Sequence, residues 1–159
     1  MGADIHLWVE RKLPSGKWVM HDRCRRISRE AHDVDPPAGP KDYFGDMAYH
    51  RVNNRNYRFF AALAGVRGEG PEPRGLPPDV SDYVQHESDD YGVDGHSHSW
   101  MMASEFMPIF AEHHLNPEYA VRVVAGETTW RDVFEKIFGT YVDEPGGLDN
   151  YRMVFFFDN

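Results

Sequence analysis

The run YRMVFFFDN, Tyr151 to Asn159, constrains the fold more than any other stretch of the chain. Val154 to Phe157 are large and apolar without interruption, so both faces of a strand formed here demand cover. Such a strand cannot be an exposed edge and needs a neighbour. The opening DIHLWVE supplies one through its alternation. Ile5, Leu7 and Val9 point one way; Asp4, His6, Trp8 and Glu10 point the other. Pro14-Ser15-Gly16 then turns the chain and KWVMHD runs back, which reads as a hairpin. The expected architecture is α+β: a small antiparallel sheet formed by the N-terminal hairpin and the C-terminal strand, packed against about three helices, with long loops.

The helices lie between the sheet segments. NNRNYRFFAALAGVRG predicts about three turns, capped by Asn53 or Asn54 and ending near Gly65, with Arg55 and Arg58 off the apolar side made by Phe59, Phe60, Ala62 and Leu63. ASEFMPIFAEHHL predicts a second helix capped by Ser104, with Pro108 in its first turn. TTWRDVFEKIFGTY predicts a third: Thr129 caps it, Trp130, Val133, Phe134 and Ile137 form a stripe, and Gly139 stops it. EYAVRVV fits either a strand or a helix. Residues 32–46 and 68–95 read as long loops, a class that usually carries function or mobility. There is no internal repeat, and residues 1–159 read as one domain.

Cys24 is the lone cysteine, which excludes an internal disulfide and a cysteine-built zinc site and favours a reducing compartment. Asp4 and Glu10 are incompatible with a signal peptide, and His6 stands where a myristoylation motif needs Ser or Thr. No apolar run approaches the roughly 20 residues of a membrane span. The expectation is a soluble, cytoplasmic protein with no membrane partner.

A formal charge of −9 argues against binding polymeric nucleic acid. The charge is uneven. Gly75 to Val121 contains no Lys or Arg, whereas Arg51, Arg55, Arg58, Arg67 and Arg74 face only Glu69 and Glu72 in their own segment. A basic enclave in an acidic protein suits a small anion, and the competing reading is that these arginines pair with neighbouring acids.

His96 and His98 in DGHSHSW would share one side of an extended segment, as would Asp4 and His6 on the first strand. With Asp158 on the last strand, or Asp94, they make a candidate metal set of Asp4, His6, His96, His98 and Asp158, suited to zinc, manganese or iron. The competing reading places His6 simply on a solvent-facing or helix-covered sheet face. Several sharper motifs are excluded. An EF-hand loop counted from Asp90 meets Gly92 and Met101 where ligands are required. There is no zinc-protease His-Glu-x-x-His, no nucleophile elbow, no phosphate-binding P-loop and no paired His-x-Ser/Thr. The basic neighbours of Cys24 favour a thiolate, but no nucleophile pattern surrounds it.

What remains is a candidate ligand site: Arg55 and Arg74 as anion forks, Asn56, Ser97 and Ser99 as directional polar groups, Tyr57 and Trp100 as stacking surfaces. Trp8 could also stack, although core packing is the stronger expectation for it.

The blocks MGADIH, RNYRFFAALAGVRG, PRGLPPDVS, DGHSHSW and VFFFDN, in this order, resemble a family of small uncharacterised bacteriophage and prophage proteins. The resemblance spans both ends and the middle of the chain. It marks Asp4, His6, Arg55, Asn56, Tyr57, Arg74, Asp94, His96, Ser97, Ser99, Trp100 and Asp158 as motif positions. Ala3 stands where the family has Cys, which removes any role for that thiol, and a Phe near Phe156 stands where the family often has Trp. The family implies topology and a phage setting, within the host bacterial cytoplasm, rather than a mechanism.

Three functions follow as expectations. The first is an accessory protein binding a small phosphorylated, nucleotide-like ligand and so sequestering a bacterial immune signal. The second is a metal-dependent hydrolase or phosphoesterase using the His/Asp cluster, with zinc or manganese as cofactor. The third is an acidic inhibitor whose 75–121 segment occupies a basic protein partner. A homo-oligomer completing the site across its interface is compatible with each.

Overall fold

The computed structural model of the protein describes residues 2–21, 52, 55–138, 142 and 146–159. Cys24, Arg51, the caps expected at Asn53 or Asn54, the 32–46 loop and the stop at Gly139 lie outside the described residues. The chain forms strands β1 (Asp4–Lys12) and β2 (Trp18–Met20), then helices α1 (Tyr57–Ala64) and α2 (Asp82–Tyr91). Strand β3 (His96–Met102) leads directly into α3 (Ala103–His114). Helices α4 (Glu118–Val124) and α5 (Trp130–Phe138) follow, and β4 (Tyr151–Asp158) closes the sequence of elements.

The four strands make one antiparallel sheet in the order β2-β1-β4-β3. The α+β class and the pairing of β4 with the N-terminal hairpin are as expected. The pairing is long, running from Asp4 opposite Asp158 to Arg11 opposite Tyr151. Gly16 makes the hairpin turn at φ 89°, and its N–H reaches the Leu13 carbonyl at 2.8 Å.

Both sheet faces are covered, as the composition of β4 requires. On one, Ile5, Leu7, Val9, Met153, Phe155 and Phe157 meet Phe59, Phe60 and Leu63 of α1, Phe106 and Phe110 of α3, and Phe134 and Phe138 of α5. On the other, Trp8, Val154 and Phe156 meet Tyr83 and Val84 of α2, with Leu76 and Val80 from the preceding segment. Phe155, Phe156 and Phe157 are fully buried. Each contributes about 1.5–3 kcal/mol of apolar transfer. Trp8 is core, which removes it as a stacking surface.

Five helices appear among the described residues rather than about three. Within the expected 68–95 loop, residues 82–91 are helical. Ser81 is the signal, since its side chain accepts the Val84 N–H at 3.3 Å, but Tyr83 and Val84 are the lone large apolar residues before Tyr91, too few to show a 3.6-residue period. EYAVRVV is the helix α4. In α1 the cap is Asn56, accepting from Phe59, and Gly65 ends the helix at φ 67°. Helix α3 begins at Ala103 without a side-chain cap, so Ser104 is inside it and Pro108 stands beyond the first turn. Thr129 caps α5, its Oγ1 accepting from Asp132 at 3.1 Å. DGHSHSW is no loop from His96 onward; it is the start of edge strand β3.

One polar network crosses the second face. Arg152 donates to Glu10 at 2.6 Å and to Asp79 at 2.7 Å, both ends of the first pair being buried. The other Glu10 oxygen accepts the Ser81 N–H at 2.8 Å, and the Arg152 guanidinium lies 4.1 Å from the centre of the Trp18 ring. The sheet is thereby tied to the cap of α2.

Two stability outcomes are expected. Arg152→Met leaves the Glu10 carboxylate buried without its cation and should cost about 3–5 kcal/mol by urea unfolding, with much of that recovered in the double variant Glu10→Leu/Arg152→Met. A Cβ on Gly70 would sit 1.8 Å from the Ala61 carbonyl oxygen. Gly70→Ala should therefore cost about 3 kcal/mol by the same measurement, whereas Gly68→Ala, whose nearest neighbour is the Ala61 Cβ at 2.9 Å, should cost less.

Candidate functional site

Asp4 and Asp158 are direct cross-strand partners, and alternation places His6 on their face. The end of the sheet thus brings three of the five expected metal ligands together. His6 Nε2 lies 3.2 Å from the Asp158 carboxylate, and His6 Nδ1 lies 3.3 Å from the Tyr91 hydroxyl at the end of α2. A carboxylate can only accept, so in neutral His6 the proton sits on Nε2 and Nδ1 accepts from Tyr91. The rings of His6 and Tyr91 are 4.4 Å apart, and Phe156 supports both.

Arg55 completes this end. Its Nε and Nη2 donate to the two Asp4 oxygens at 2.7 and 3.0 Å, a bidentate fork, while 55% of the side chain stays exposed. Those bonds hold the Asp4 carboxyl below its ordinary value, and Asp4 in turn raises Arg55. Gly2 makes room for the fork, since a Cβ there would lie 2.4 Å from Arg55 Nη1. The sequence carried no signal for this use of Gly2 beyond its Met-Gly context. Two non-glycine residues near this end hold left-handed backbone, Arg55 at φ 53° and Ser97 at φ 54°. Such strain costs on the order of 1–3 kcal/mol per residue and gathers at functional sites.

Ser97 also explains why the two loop histidines part. His96 pairs with Phe157 and Ser99 with Phe155, so β3 carries one extra residue between them, a bulge. The i,i+2 expectation for His96 and His98 fails there. His96 stacks on Phe157 and His98 on Phe156, neighbours on β4 that face opposite sides of the sheet. His98 Nε2 is 2.9 Å from the Ser88 hydroxyl, and His96 Nδ1 is 3.0 Å from the Ser97 hydroxyl. Among the described residues no three His, Cys, Asp or Glu side chains gather to hold a metal ion. The five-residue set of Asp4, His6, His96, His98 and Asp158 is corrected accordingly: Asp4 is engaged by Arg55, and the bulge separates the histidines.

The expected ligand residues divide similarly. Asn56 is structural, capping α1 and donating to the His113 carbonyl at 2.6 Å. Tyr57 accepts the Ala3 N–H at 3.3 Å and lies 5.8 Å beneath Arg67. Arg74 stands elsewhere, at the outer edge of β3. It forks onto Glu105 at 2.7 and 3.3 Å, donates to the Trp100 carbonyl, and lies 5.2 Å from the Trp100 ring. Ser99 is buried and accepts the Arg74 N–H. The arginine-rich segment is therefore no single basic enclave: Arg55 and Arg74 pair with acids, the competing reading of the charge pattern.

No family model, curated protein or solved structure matches the chain. Among the described residues no helix is long and apolar enough to cross a membrane.

Burial, then the neighbouring His96, lowers the pKa of His98 from 6.5; burial, then His113, does the same for His114. The unfolded chain therefore binds more protons than the folded one just below pH 6.5, and stability contributed by these two groups is complete above that value and lost as pH falls. Both imidazole Cε1–H resonances should titrate below the ordinary histidine range, with urea stability declining from pH 7 to pH 5.5.

Proposed function

We propose that the protein is a phage-type accessory protein that binds a small phosphorylated, nucleotide-like ligand at the sheet end built by Asp4, His6, Asp158, Arg55 and Tyr91. Sequestering such a ligand would withdraw a nucleotide signal of bacterial immunity. The observation that carries this reading is the Arg55 fork. Asp4 fixes the guanidinium through Nε and Nη2, and with more than half of the Arg55 side chain exposed the cation is within reach of a phosphate oxygen.

The chemistry around the fork narrows the ligand. Asp4 and Asp158 outweigh Arg55 in formal charge, so a bare phosphate meets repulsion as well as a donor. A ligand that also offers hydroxyl or amino donors satisfies the carboxylates, and a nucleotide has both kinds of group. Tyr57, partly exposed beside the fork's segment, offers a ring face.

Calorimetry against cyclic dinucleotides, ADP-ribose derivatives and inorganic phosphate tests the reading. At least one nucleotide should bind at micromolar concentration and inorganic phosphate much more weakly. Arg55→Ala should weaken the nucleotide by about 10–100-fold, the value of a charge-assisted contact of roughly 1.5–3 kcal/mol. Gly2→Ala, which displaces the fork without removing it, should act in the same direction. Absence of heat with every nucleotide at tens of micromolar rejects the proposal.

A further inference from the structure

We propose that the outer face of α4 is a contact surface for a second copy of this chain, two α4 helices meeting antiparallel about a two-fold axis close to Val121. The helix has two apolar sides. Tyr119 and Val123, one turn apart, pack inward against the core. Val121 and Val124 lie on the opposite side, 66% and 90% exposed, and no residue of α4 is buried. Pro117 and Ala125 keep helical backbone at the two ends and are also exposed, so they lengthen the stripe. Positions 117, 121, 124 and 125 repeat as i, i+4, i+7 and i+8, the spacing of a helix side that packs under apolar cover. Here that side faces water.

Charge selects what covers it. A chain of net charge −9 repels its own copies over most approaches, and no Lys or Arg occurs from Gly75 to Val121. On this helix the two charges cancel. Glu118 and Arg122 stand one turn apart along a single flank of the stripe. In an antiparallel pair that flank meets the same flank of the other helix, running the opposite way. Glu118 then lies against Arg122 of the second copy, and Arg122 lies against Glu118 of the second copy. Val121 meets its own counterpart near the axis, and Pro117 meets Ala125 of the second copy. The surface is therefore self-complementary, as an isologous contact requires. An acidic or a basic partner would satisfy only one of the two charges.

The contacts these charges make within the chain are weak enough to exchange. Arg122 Nε lies 3.4 Å from the Glu127 carboxylate, with both side chains about half exposed or more, and Asn116 donates to Glu118 at 3.4 Å. Asn116, Glu118, Tyr119 and Arg122 line a cleft beside the stripe, which leaves both charged heads reachable from outside. A helix of seven residues buries less than the roughly 1,200 Å² of a stable complex, so the pairing is reversible and follows concentration. It uses none of the residues of the nucleotide reading and stands independently of it.

Sedimentation equilibrium of the full chain, from about 10 μM to about 1 mM, tests the proposal in the range where so small a contact is populated. The mean mass should rise with concentration from the monomer towards twice that value. Val124→Glu should remove the rise while leaving the circular dichroism unchanged. Glu118→Arg and Arg122→Glu each set like charges across the axis and should each weaken association about 10-fold or more. An equimolar mixture of those two variants should associate at least as well as the wild type, because each then supplies the charge that the other lacks. A wild-type chain that stays monomeric throughout overturns the proposal. Association that survives Val124→Glu also overturns it, since it proceeds through another surface. If the wild type associates and the mixture stays monomeric, the antiparallel pairing is wrong.

Discussion

The burial of β4 on both faces is the constraint from which the rest of the molecule follows. Once Tyr151 to Phe157 are withdrawn from water, two strands must satisfy the flanking backbone groups and two layers must cover the side chains. Helices α1, α3 and α5 provide one layer with phenylalanines. Helix α2 and the 71–81 segment provide the other, more polar one, where Arg152 interrupts the apolar row and Glu10 and Asp79 neutralise it. A buried ion pair of this kind contributes little net stability against an apolar pair of equal volume, but it specifies which segment lies over which strand.

How much of this was legible in the sequence depended on local period. The alternation of Ile5, Leu7 and Val9, the unbroken apolar run ending at Phe157, and the stripe of Val133 and Phe134 each belong to one element, and each element forms where its period said. Helix α2 carried no readable period because Tyr83 and Val84 are its only buried apolar residues, and the others it buries, Glu87 and Ser88, are polar. The bulge at Ser97 was invisible for a different reason. Nothing in HSHSW distinguishes a regular strand from one that gains a residue, because the extra residue is defined against β4, some 60 positions away.

The candidate site was half legible. Asp4, His6 and Asp158 could be placed together from the pairing of the first and last strands of the chain, whereas Tyr91 and Gly2 could not. Tyr91 depends on where α2 ends, and Gly2 matters through the side chain of Arg55. The arginines show the opposite error. A local excess of positive charge in sequence became dispersed in space, because Asp4 and Glu105, which claim Arg55 and Arg74, come from outside that segment. Charge counted over a window measures composition, and ion pairing is settled by tertiary neighbours.

His6 and Asp158 are 152 positions apart along the chain. Loop-closure entropy makes so distant a contact a late one, formed when β4 slots between β1 and β3. During ribosomal synthesis the imidazole would therefore emerge long before its carboxylate, and a nascent chain would hold only one half of this contact until its final strand arrived. The His6–Asp158 contact would then report complete maturation, since no intermediate lacking that insertion possesses both partners.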